Sequence, residues 1–124
     1  MMQSGLGAIG QLSRSVSDIA AAEAWWRDVL GLPHLYTFGN LAFFDCSGTR
    51  LMLSAEPGES HASIIYFRVS DIAASHAELL ARGVSFIQPP QVIHLHADGV
   101  EEWMAFFADN EGRPLALMSQ VRPG

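Results

Sequence analysis

Apolar and polar positions along this chain change period several times, and each change marks an element. Ala8 to Val16 reads as a strand. Ile19, Ala22, Trp26, Val29 and Leu30 then recur near one face at helical spacing, which predicts an amphipathic helix. Asp18 is placed to cap it, because its carboxylate can accept from free N–H groups of the first turn. Gly31 can supply a left-handed residue past the helix end, and Pro33 prevents continuation. His34 to Phe38, Leu41 to Cys46 and Arg50 to Ser54 read as three strands, with turn signals at Gly39-Asn40 and Ser47-Gly48.

After Glu56-Pro57-Gly58-Glu59-Ser60, the one plausible linker, the same order begins again. Ser63 to Val69 is a strand. Asp71 caps a helix that carries Ile72, Leu79 and Leu80 inward, Arg82 suits the negative end of its dipole, and Gly83 ends it. Ser85 to Gln88 and Gln91 to His96 form a strand interrupted by Pro89-Pro90, which belongs at an edge or a bulge. Ala97-Asp98-Gly99 is a turn. Val100 to Ala108 and Pro114 to Ser119 are the last strands, joined through Asp109-Asn110-Glu111-Gly112.

The repetition is also literal. Val16-Ser17-Asp18-Ile19-Ala20-Ala21 returns as Val69-Ser70-Asp71-Ile72-Ala73-Ala74. Ala42-Phe43-Phe44 returns as Ala105-Phe106-Phe107, and Gly48-Thr49-Arg50-Leu51-Met52-Leu53 is answered by Gly112-Arg113-Pro114-Leu115-Ala116-Leu117. The echoes keep their order, so the chain reads as two copies of one strand–helix–strand–strand–strand unit. The expectation is an α+β fold in one domain, with a first βαβββ unit over residues 8–55 and a second over 62–120.

Composition narrows the function. With 49% hydrophobic and 16% charged residues, disorder is not expected. A net charge of −6 with seven scattered basic residues argues against a nucleic-acid partner. No apolar run is long enough to span a membrane, and the N-terminus lacks the pattern of a signal peptide, so a cytoplasmic protein is expected. The single Cys46 excludes an internal disulfide and reads as a small buried residue rather than a nucleophile.

A duplicated unit of this order resembles the vicinal oxygen chelate superfamily, the group of glyoxalase I, bleomycin-resistance proteins, methylmalonyl-CoA epimerase and extradiol dioxygenases. Val16-Ser17-Asp18 followed by Trp26-Arg27-Asp28-Val29-Leu30-Gly31-Leu32 is similar to the family's first strand, helix and Leu-Gly-Leu turn. Phe106-Phe107-Ala108-Asp109-Asn110-Glu111-Gly112 resembles its closing hairpin, with Asn110 where proline is common. The resemblance implies that each unit curls its sheet into half of a cup. It also implies, for metal-dependent members, one ligand on the first and one on the last strand of each unit.

Carried onto this sequence, those positions are Gln11, Met52, Ile64 and Ala116. Such members place His, Glu or Gln there. Ile64 and Ala116 offer no lone pair, Met52 a soft thioether and Gln11 one neutral oxygen, so the family's metal site is expected to be absent and no cofactor is implied.

The remaining polar residues suggest ligand contact. Tyr66 and Arg68 share strand parity with Ile64, and Arg50 shares that of Met52, so both guanidiniums are candidates for a carboxylate or phosphate. His94 and His96 fall on one side of a strand, where a relocated metal site or an acid–base pair could form, with His94 the first choice. Glu101 and Glu102 could complete such a site, although carboxylates beside a turn are usually solvated. Trp103 stands among Phe43, Phe44, Phe106 and Phe107; half of these aromatics fill the core and half can stack on a flat ligand. Trp25 and Trp26 read as packing, or as part of a dimer interface with the apolar first ten residues.

The expected ligand-binding set is therefore Gln11, Arg50, Met52, Ile64, Tyr66, Arg68, His94, Trp103 and Ala116. The expected function is metal-independent binding of a small, partly apolar molecule in the cup of a homodimer, similar to bleomycin-resistance proteins. The alternative is a lyase, isomerase or dioxygenase of the same superfamily with its site moved to His94 and His96.

Overall fold

A computed structural model describes residues 5, 9, 11–56 and 63–123. The chain divides into two compact units, Met1–Ala62 and Ser63–Gly124. Each contains a four-stranded mixed sheet and one helix.

In the first unit the elements are β1 (Gln11–Ser15), α1 (Ile19–Asp28), β2 (His34–Phe38), β3 (Leu41–Cys46) and β4 (Thr49–Ser54). The sheet order is β1-β4-β3-β2, with β1 parallel to β4 and the other pairs antiparallel. The second unit repeats it with β5 (Tyr66–Arg68), α2 (Ile72–Ala81), β6 (Phe86–Leu95), β7 (Glu101–Ala108) and β8 (Pro114–Val121), ordered β5-β8-β7-β6. The α+β class and the doubled βαβββ order therefore hold. The expected starts at Ala8 and at residue 62, and most of the linker, fall outside the described residues.

The duplicated hexapeptide performs the same task twice. Asp18 Oδ1 accepts from Ala21 N at 3.1 Å, and Asp71 Oδ1 accepts from Ala74 N at 3.0 Å. Each carboxylate satisfies one of the donors that a helix start leaves unpaired. Past the helices, Gly31 and Gly83 have φ of 75° and 89°, the left-handed region that a Cβ disfavours. The Ser47-Gly48 loop has positive φ at both residues, as a two-residue hairpin with matching twist requires.

Alternation along the strands decides what is covered. In the first unit Ala42, Phe44, Leu51 and Leu53 are buried together with Ala22 and Trp26 of α1. In the second, Ala105, Phe107, Leu115 and Leu117 are buried with Ile72 of α2. Arg14 lies at the first of these interfaces, 1% exposed, with its guanidinium 5.8 Å from the Trp26 ring centre. Trp26 is fully buried, which agrees with packing and removes it from any dimer surface.

Pro89 and Pro90 sit within β6, the edge strand, and the β6–β7 register shifts between Gln88 and Gln91. An edge tolerates the missing N–H groups. Among the described residues no helix is long and apolar enough to cross a membrane.

Candidate functional site

The face of each sheet turned away from its helix carries the polar and aromatic side chains of interest. On the first unit, strand pairing aligns Gln11 with Arg50, and Met52 with Phe43. Gln11 Oε1 accepts from Arg50 Nε at 2.6 Å, while its Nε2 lies 3.9 Å from Met52 Sδ. The Arg50 guanidinium stands 5.5 Å from the Phe43 ring centre, and Tyr36 stacks on Phe43 at 4.5 Å. Gln11, Arg50 and Met52 thus form one group with Phe43 and Tyr36.

On the second unit, pairing sets Tyr66, Ala116 and Phe106 side by side, then Arg68, Met118 and Met104. Tyr66 meets Phe106 edge to face at 6.0 Å, and Ala116 between them is fully buried. Ile64 precedes β5 and is 42% exposed. Trp103 lies elsewhere. Its strand partner is the buried Ser119, and it borders a cleft of about 370 Å³ with Ile72, Ala73 and Pro90 at the start of α2. Its parity with Ala105 and Phe107 carries that signal.

At the far end of the same face His94 pairs with Glu102, and Glu102 with Gln120. The His94 and His96 rings meet edge to face at 4.6 Å. His96 Nε2 lies 3.1 Å from Glu102 Oε1, and Gln120 Nε2 donates to the same oxygen at 3.0 Å. Glu102 is only 9% exposed, so the expectation of a solvated carboxylate beside the turn is overturned. The period of two puts Glu102 on one face with Met104 and Phe106, flanked by His94 on β6 and Gln120 on β8. Bonds from Gln120 and then His96, aided by the Arg68 charge, hold the Glu102 carboxyl below its ordinary range. Its partner Gln120 was not singled out in the sequence, since a lone Gln near a chain end has no distinguishing pattern.

The four positions that hold metal in metal-dependent members do not suit one here. The sole oxygen among them, Gln11 Oε1, already accepts from a guanidinium, which would repel a cation. Among the described residues no group of three or more His, Cys, Asp or Glu is close enough to hold an ion. Burial and then the Asp45 carboxylate push the Cys46 thiol up, which keeps it protonated.

Three known structures share the fold. A lactoylglutathione lyase from Agrobacterium tumefaciens aligns with TM-score 0.75 and 21% identity, covering 94% of this chain and 96% of that one. Virulence protein STM3117 from Salmonella typhimurium aligns with TM-score 0.74 and 20% identity, covering 94% and 98%. TioX from Micromonospora sp. ML1 aligns with TM-score 0.71 and 20% identity, covering 93% and 100%. No curated protein matches in sequence. The family model of the Glyoxalase/Bleomycin resistance protein/Dioxygenase superfamily matches residues 8–112, and the chain belongs to that superfamily.

Proposed function

We propose that this protein binds a small, partly apolar, anionic molecule on the open faces of its sheets, without a metal ion. One observation carries the reading. Arg27, Arg82, Arg113 and Arg122 each have a carboxylate within 3.7 Å. Among the described residues Arg50 and Arg68 have none, in a chain of net charge −6; Arg50 stands over the Phe43 ring, and Arg68 is aligned with Met118 and Met104. The Arg50 guanidinium, without a paired carboxylate and next to the Phe43 ring, suits a flat molecule bearing a carboxylate. Gln11, Met52, Ile64 and Tyr66 belong to the same surfaces, while Ala116 is buried between Tyr66 and Phe106. The activity is sequestration, in a cytoplasmic setting compatible with the free Cys46 thiol. Titrating naphthalene-2-carboxylate into chelator-treated protein tests this. Saturable binding is expected, and its absence would contradict the reading.

The proposal includes assembly as a homodimer. Edge strands leave N–H and C=O groups unpaired. Here edge strands β2 and β6 also expose Phe38 by 75% and Leu95 by 63%. A two-fold partner can cover such surface reciprocally. Light scattering at micromolar concentration is expected to give twice 13.5 kDa. A stable species at the single-chain mass that still binds ligand would refute it.

A further inference from the structure

The buried carboxylate of Glu102 has no place in ligand sequestration. It is 9% exposed, and its Oε2 is shut off from solvent with no hydrogen-bond partner. Its other oxygen takes both bonds, from Gln120 and His96. A charge held in this way is costly to retain for stability alone, and such groups gather at functional sites.

The arrangement selects a tautomer. An ionised carboxylate only accepts, so the neutral form of His96 holds its proton on Nε2 and leaves the lone pair to Nδ1. Nδ1 has no partner among the described residues. The His96 side chain is 38% exposed and borders a cleft of about 390 Å³ with Ala97, Asp98, Val100 and Gln120. Glu102 holds the His96 ring and Gln120 holds Glu102, so three strand ends converge on an imidazole that borders that cleft.

We propose that His96 is a general base, positioned by Glu102, that removes a proton from an acidic C–H of a small molecule entering this cleft. Besides Glu102, the titratable and charged groups around it are His94, whose ring abuts it; Asp98, which is bonded to Arg122; and Arg68, whose charge acts on Glu102. A carboxylate at one ring nitrogen stabilises the imidazolium that forms when the other takes a proton.

The test uses 5-nitrobenzisoxazole, a carbon acid that reports any positioned base. His96 Nδ1 would take the C3 proton. The C–H electron pair becomes the third C–N bond, the N–O bond breaks to leave the phenolate, and the imidazolium returns its proton to water. Positioned general bases contribute 10²–10⁴-fold for their own substrates, so a rate about tenfold or more above equimolar imidazole is expected for this probe. His96→Gln should return the rate to background. Glu102→Gln should lower the rate plateau and move the midpoint of the pH–rate profile to lower pH, because the imidazolium loses its counter-charge. A His96→Gln variant that keeps the rate, or a parent rate no better than imidazole, would overturn the assignment. An unmoved midpoint in Glu102→Gln would overturn the positioning role.

Discussion

Replacing Phe107 with alanine is expected to destabilise the protein by about 3–5 kcal/mol, the range for truncating a buried aromatic residue. Phe107 is fully buried, pairs with Phe86 across the β6–β7 ladder, and has that ring 5.4 Å away. Removing it leaves a cavity that Leu115, fixed on the neighbouring strand, cannot fill by backbone movement. Against a total stability of about 5–15 kcal/mol, that is a large fraction. Phe106→Ala, one residue away on the half-open face, should cost clearly less. Chemical denaturation of both variants measures the difference. Equal losses would mean that the two faces of β7 are misassigned.

The second large effect is on binding. Arg50→Ala should weaken naphthalene-2-carboxylate by about 1.5–3 kcal/mol, the range for a hydrogen bond to a charged group. That corresponds to roughly 10- to 150-fold in Kd. Gln11 holds Nε at 2.6 Å and Phe43 supports the plane from below, so the guanidinium is already oriented before ligand arrives. Preorganisation of this kind removes much of the ordering penalty of binding. Arg50→Lys keeps the charge and loses both the fork and the Gln11 contact, so it should recover only part of the affinity. Calorimetric titration of the three proteins decides the matter. An Arg50→Ala protein with unchanged affinity would move the site away from the first unit's face.

Much of the fold was legible because it was written twice. Asp18 and Asp71 in identical hexapeptides, each followed by an apolar face and a glycine, located both helices. The Pro89-Pro90 break marked β6 as an edge strand for a reason any backbone shares, the missing N–H. The grouping of the first unit's candidate residues was legible too: the family resemblance marked Gln11 and Met52, strand parity with Met52 added Arg50, and the β1–β4 pairing brings the three together.

What sequence left open depended on which face each aromatic takes. Trp103 shares parity with Ala105 and Phe107, and the structure puts it beside Ile72 at the helix. Tyr36 carried no motif and joined the site only because the β2–β3 ladder stacks it on Phe43. Glu102 looked solvated because one of its partners, Gln120, stands 18 residues further along the chain and meets it only through the β7–β8 ladder. Arg14, in an exposed-looking run of polar residues, is buried by Trp26 for the same long-range reason.

Binding without a metal is open to elemental analysis of ligand-saturated protein purified without chelators. Far less than one equivalent of zinc, nickel, manganese or iron per chain is expected at full occupancy by naphthalene-2-carboxylate. Near-stoichiometric metal that disappears, together with ligand binding, in Gln11→Ala would contradict it.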